Sequence, residues 1–204
     1  QSEISLRGKW RHRKILTDKQ PPPPTTKSNM KILAIDNEGH VHAAADSAVV
    51  TRSQPWFEPD GGAPWHGELY IAAIVSRLGK GVAERFARRY YDRVAVVVHP
   101  SPAIAGSFYE WTRDGAVLAG DHIPVADLAD KMELHIGETS YPVDVSRILG
   151  EFDKLLSDIT EHHTIKTGDM LMLPLAGIPP VALERPLTLD ITLGATRALR
   201  LKVR

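Results

Sequence analysis

The chain has 204 residues, enough for one full domain with a sizeable core. Its 25 Lys and Arg balance 25 Asp and Glu, which argues against a nucleic-acid partner, since a phosphate backbone calls for a cationic face. Cysteine is absent, so disulfides, thiolate-ligated metals and thiol nucleophiles are excluded together, and a cytoplasmic location is expected.

Residues 1–29 carry seven Lys and Arg against Glu3 and Asp18, and run through Pro21–Pro24 into a polar stretch. Such a segment cannot bury a core and is read as a disordered, basic, Pro-rich tail without the apolar stretch of a secretory signal. Residues 30–204 are read as a single domain. No apolar run approaches the ~20 residues of a membrane-spanning helix, so no membrane partner is expected.

Met30 opens a strand-like run, Lys31 to Asp36, and Glu68–Val75 reads as a second strand. Val82–Asp92 has the spacing of a short amphipathic helix, with Val82, Phe86 and Tyr90 four residues apart. In Arg93–His99 the run Val94-Ala95-Val96-Val97-Val98 is apolar throughout, as in a central strand covered on both faces. Lys131–Ile136 is a further strand. Val145–His163 is the clearest helix: Val145, Ile148, Leu149, Phe152, Leu155, Leu156 and Ile159 share one face. Asp144 is its expected N-cap, and Gly168-Asp169 turns the chain out. Strands Met170–Leu175, Leu187–Leu193 and Ala198–Val203 follow, bounded by prolines. Many short strands with two helices predict an α+β fold, a mixed β-roll or sandwich, and not a doubly wound sheet. No glycine-rich phosphate loop, G-x-S-x-G elbow or H-E-x-x-H helix is present.

In His66-Gly67-Glu68 both polar side chains point to one face of a strand, because the side-chain period is two. With His99 on an adjacent strand they form a two-histidine, one-carboxylate metal set. On spacing alone, independent polar residues at strand ends are the commoner explanation. His42 is a candidate general base, although a lone histidine there is equally a surface group. His162-His163 suits a helix C-terminus, where cationic side chains meet the dipole.

Gly67-Glu68-Leu69, Arg77-Leu78-Gly79-Lys80 and Ala83 to Asp92, taken in order, resemble the fumarylacetoacetate hydrolase family. Within it the similarity is to small bacterial acylpyruvate hydrolases and hydroxymuconate isomerases. Met30 to Ile35 resembles the family's first strand. Asp114-Gly115 through Gly120, with Ile123-Pro124, and Phe152 through Asp169 extend the match over most of residues 30–204. The resemblance implies a mixed β-roll of that family's type, a homodimer, and a small 2-oxo acid substrate or ligand. It also implies a divalent metal, Mg²⁺ in the family. That metal stabilises an enolate during C–C hydrolysis, decarboxylation or isomerisation, while a His/Glu pair activates water.

Carried over residue by residue, the site departs from the family pattern. The two glutamate ligands fall on His66 and Glu68, and the aspartate ligand falls on His99. The lysine falls on or near Trp111, the T-G-T-P motif on Leu173-Pro174-Leu175-Ala176, and the Arg/Asp motif on Ser101-Pro102-Ala103-Ile104. His42 aligns with the family's base, but the lid that carries its Glu partner is missing. Two imidazoles and one carboxylate suit Zn²⁺ or Fe²⁺ better than Mg²⁺. The pattern reads as decay of the standard site: a weakly active or inactive enzyme or, alternatively, a non-catalytic binding or scaffold subunit. A site plugged by Trp111 and Leu173 is expected for the alternative.

Overall fold

The structure is a computed structural model that describes residues 30–51, 54–59, 64–102 and 110–204. The basic tail of residues 1–29 lies outside the described residues, as do Ala103 and Ile104.

Among the described residues thirteen strands and two α-helices are formed. In chain order the strands are β1 (Lys31–Ile35), β2 (Val41–Ala45), β3 (Val49–Thr51), β4 (Trp65–Val75), β5 (Tyr91–Pro102), β6 (Val117–Ala119) and β7 (Ile123–Pro124). They continue as β8 (Lys131–Ile136), β9 (Thr139–Asp144), β10 (Met170–Pro174), β11 (Val181–Ala182), β12 (Leu187–Leu193) and β13 (Thr196–Val203). Helix α1 (Glu84–Ala87) lies between β4 and β5, and α2 (Val145–His162) between β9 and β10.

A curled, nine-stranded mixed sheet runs β2-β1-β10-β4-β5-β6-β3, with β11 and β7 at its margins. A second, antiparallel sheet runs β13-β12-β8-β9. This is the expected α+β roll. The long pair β4 and β5 is its spine, antiparallel from Trp65 opposite Pro102 to Val75 opposite Tyr91.

The two faces of the large sheet enclose different surroundings. Odd-numbered residues of β4 (Leu69, Ile71, Ala73) and even-numbered residues of β5 (Val94, Val96, Val98) join the apolar face of α2 and the inner face of the small sheet in one core. On the opposite face Tyr70, Ala72, Ile74, Ala95 and Val97 meet Ile32, Ala34, Met170 and Met172 in a second cluster. Period-two alternation therefore explains why the central run of β5 is apolar throughout: both of its faces are buried.

Asp144 caps α2, its carboxylate accepting from the Arg147 amide at 3.0 Å. The helix expected over Val82–Asp92 is one turn, Glu84–Ala87, and Tyr91 already belongs to β5. Tertiary contacts override the helical spacing here. Tyr91 pairs with Val75 in the sheet, and its hydroxyl lies 3.0 Å from the Leu149 carbonyl and 2.8 Å from the Asp153 carboxylate. Arg88 grips the same carboxylate with two nitrogens, at 3.2 and 2.8 Å.

The two sheets touch at Gly120. Its amide donates to Val96 of the large sheet at 2.9 Å, and the next amide donates to Ala198 of the small one at 2.7 Å. A Cβ at Gly120 would lie 2.0 Å from the Ala198 carbonyl oxygen, so only glycine fits.

Candidate active site

The cleft is built first from the turn between β1 and β2. Asp36 Oδ1 accepts from the backbone amides of Glu38, at 2.9 Å, and His40, at 2.8 Å. Gly39 closes the turn with φ near +87°, a conformation glycine adopts without strain. This fixes Asp36 so that Oδ2 meets His42 Nε2 at 2.7 Å. Burial pushes the Asp36 carboxyl up, but the bonds from His42 and the two amides outweigh it and hold the group well below the ordinary carboxylate range. Against an ionised carboxylate the proton sits on His42 Nε2, which leaves Nδ1 as the acceptor of the neutral ring. The carboxylate partner of His42 is therefore Asp36, six residues before it, although the resemblance placed that role on a missing lid.

The floor comes from the spine. Glu68 on β4 stands directly opposite His99 on β5, so the expected adjacency of their strands holds. Tyr70, two residues along β4, donates to Glu68 Oε2 at 3.2 Å. Burial, and then the neighbouring Glu68, raise the Tyr70 phenol far above its ordinary value, so it stays protonated. His66 is half-buried at the start of β4, opposite Ser101 and Ala182, and is not among the residues lining the cleft.

The third wall is the segment from Glu110 to Thr112. The Trp111 ring is stacked on His99, with centroids 3.7 Å apart and planes 5° from parallel. Its other side faces His42, at 5.1 Å and 13°. Tyr70 stands edge-on to both Trp111 and His99. His99 Nδ1 lies 2.7 Å from the Ala116 carbonyl oxygen, which can only accept, so Nδ1 carries the proton. His99 Nε2 is buried and makes no hydrogen bond. Glu110 Oε1 is 3.7 Å away, and the His99 ring beside it holds the Glu110 carboxyl below its ordinary range despite partial burial. Leu173 is not part of the plug, because it packs with Leu69 and Ile71 on the opposite face of the sheet.

These walls enclose an open cleft of about 680 Å³, a size that suits a small molecule. Among the described residues lining it there are four carboxylates and two imidazoles, but neither lysine nor arginine. On the floor of the cleft Glu68 and His99 offer one carboxylate and one imidazole. Among the described residues, three ligand-type groups approach within 4.8 Å of one another at the hairpin turn, where Asp36, Glu38 and His40 meet. Sequence reasoning missed Asp36, Tyr70 and Glu110. The D-x-x-G turn before His42 was the available signal for Asp36; nothing in the sequence marked Glu110.

The fold is that of the fumarylacetoacetate hydrolase family. A protein from Yersinia pestis described as a member of that family superposes with a TM-score of 0.70, at 16% identity, over 86% of this chain and 93% of its own. The 5-carboxymethyl-2-hydroxymuconate delta-isomerase from Mycobacterium smegmatis gives 0.68, at 18% identity, over 86% and 78%. Fumarylpyruvate hydrolase from Pseudomonas aeruginosa, solved in complex with Mn²⁺ and pyruvate, gives 0.67, at 13% identity, over 86% and 88%. No family sequence model and no curated protein matches the chain by sequence.

Proposed function

We propose that the chain is a divergent fumarylacetoacetate hydrolase-family protein in which metal-dependent hydrolysis, decarboxylation or isomerisation of acylpyruvate-type 2-oxo acids is weak or lost. The observation that carries this reading is Trp111, at the position the resemblance gives to a lysine and stacked between His42 and His99. A 2-oxo acid entering the cleft meets carboxylates without a described lysine or arginine to receive its own carboxylate. His42, oriented by Asp36, is the one group still arranged as a general base.

A divalent ion taken up here is held by Glu68 and His99 without His66, which stands outside the cleft, and belongs to the Zn²⁺ or Fe²⁺ class and not to Mg²⁺. The buried, unpartnered Nε2 of His99 supports that preference. The same aromatic packing favours a second reading, a non-catalytic binding or scaffold subunit. We further propose a homodimer, a cytoplasmic location, and one folded domain over residues 30–204 that limited proteolysis would trim to near Met30.

The test is turnover of fumarylpyruvate by the full chain, with Mn²⁺ and with Zn²⁺, beside the Pseudomonas aeruginosa enzyme. A rate lower by about 100-fold or more is expected, since general-base and electrostatic terms are each worth that much. Mn²⁺-dependent turnover at a comparable rate, abolished by His42→Ala, would overturn the reading.

A further inference from the structure

The proposed function leaves one charged patch unused, at the far end of the spine from the cleft. Residues 76–90 join β4 to β5 there, beyond Val75 and Tyr91, while Glu68 and His99 stand toward the other end. They carry five Lys and Arg against Glu84, although residues 30–204 as a whole carry 18 Lys and Arg against 23 Asp and Glu. Arg88 is taken up by Asp153, at 2.8 Å. Arg77, Lys80, Arg85 and Arg89 are exposed and have no carboxylate partner among the described residues. The same loop holds two of the four large apolar side chains exposed among the described residues, Leu78 at 72% and Phe86 at 39%. The spacing of Val82, Phe86 and Tyr90 assigned Phe86 to a buried helical face. Because α1 is a single turn, Ala87 is the residue it buries, and the Phe86 ring stays outside. The guanidinium carbons of Arg85 and Arg89 lie 4.8 and 5.1 Å from the centre of that ring. The loop is fastened to its neighbours. The Ser76 amide donates to the Tyr90 carbonyl at 2.7 Å, and Gly79 and Ile165 exchange amide bonds at 3.0 and 2.9 Å.

From this pairing of unneutralised cations with protruding apolar side chains we infer that the 76–90 loop docks on the surface of an anionic lipid bilayer. Leu78 and Phe86 enter the interface, and Arg77, Lys80, Arg85 and Arg89 meet the anionic headgroups. A bilayer presents negative charge over hydrocarbon, which is the chemistry that this mixture of side chains complements. Stacking on Phe86 leaves the N–H edges of a guanidinium free to grip a phosphate. A second copy of the chain is a poorer occupant, since two-fold pairing sets Arg85 and Arg89 against their own counterparts. An acidic protein would need a matching apolar pocket for each protruding side chain, whereas hydrocarbon receives them without one. Among the described residues no helix is long and apolar enough to cross a membrane, but that bears on spanning a bilayer and not on lying against one. This docking uses no residue of the cleft, so it stands or falls apart from the proposed function.

The test is flotation of the full chain with phosphatidylcholine vesicles, with and without phosphatidylserine, at low and at high salt. Binding should require phosphatidylserine and weaken as salt rises, because exposed charges are screened. Since each basic residue at such a surface is worth roughly fivefold in partitioning, Arg85→Gln combined with Arg89→Gln should weaken binding at least about tenfold. Leu78→Ser should weaken it several-fold without altering the salt dependence, as loss of an apolar contact does. All three positions are exposed, so the variants should unfold at the temperature of the parent chain. Arg200→Gln, on the second sheet, should have no comparable effect. Residues 1–29 are basic as well, and the double arginine variant separates the two: binding that survives it belongs to the tail and overturns the inference. So do equal binding to vesicles of phosphatidylcholine alone, an absence of binding to either kind, or no effect of Leu78→Ser. Soluble polyglutamate bound as tightly as the vesicles would assign the patch to an acidic protein and overturn it too.

Discussion

The two faces of the nine-stranded sheet solve the problem of burial in opposite ways. On the helix side, Phe152, Leu156 and Ile165 are fully enclosed, and the polar groups that enter, Tyr91 and Asp153, are bonded to partners at 2.8–3.0 Å. On the other side the packing uses small residues, among them Ala34, Ala72 and Ala95, and its polar end holds a buried imidazole nitrogen without a partner. Around α2 the first face is saturated, and the other is left chemically open. Since an unsatisfied buried group persists against its own cost, the open face is where a binding function is to be sought.

That contrast yields predictions of graded size. Phe152→Ala, on the saturated face, should cost about 3–5 kcal/mol in denaturant unfolding, because the cavity left at a fully buried ring collapses only partly. At the junction of the sheets, Gly120→Ala should cost about 1–3 kcal/mol in the same measurement, since the clash is with backbone. Tyr91→Phe should cost about 1–2 kcal/mol by removing the one hydroxyl proton shared between the Leu149 carbonyl and Asp153.

The hairpin wall of the cleft should be sensitive to acid. A carboxyl whose folded pKa lies below the unfolded value stabilises the fold fully above the unfolded value of 3.8 and loses that contribution as pH falls through the folded one. Asp36→Asn should therefore flatten the acid limb of the stability–pH curve while leaving its alkaline limb unchanged; an unchanged acid limb would show that the pair with His42 is not formed. The smallest effect belongs to Glu110→Gln. It should leave the melting temperature nearly unaltered, since the carboxylate is partly exposed and stands 3.7 Å from its His99 partner, and a large drop would place Glu110 among the structural groups.

Periodicity made the frame of the molecule legible. The apolar faces of α2, β5 and β10 are each carried by local spacing, and spacing is what a sequence displays. Tyr91 was misread because its role depends on Leu149 and Asp153, 58 and 62 residues away, which no local window contains. The cleft was half legible for the same reason. Glu68 and His99 could be placed on neighbouring strands, but the position of His66 outside the cleft depends on how the end of β4 meets β11 and β5. The stacking of Trp111 between two histidines joins residues 42, 99 and 111, and their meeting follows only from the curl of the sheet.

The place of β1 in the sheet has a consequence for how the cleft is made during synthesis. β1 lies between β2 and β10, parallel to β10, with Ile32 beside Met170 and the Lys31 amide donating to Asp169 at 2.8 Å. The hairpin that carries Asp36 and His42 thus emerges from the ribosome well before the strand it must dock against. At roughly 5–20 residues per second that interval is on the order of ten seconds, during which Ile32, Leu33 and Ala34 lack their partner edge. Such distant pairing is entropically slow to close. The spine of β4 and β5 can pair as soon as it is made, so Glu68 and His99 can face each other before the wall bearing His42 and Asp36 has its partner strand β10.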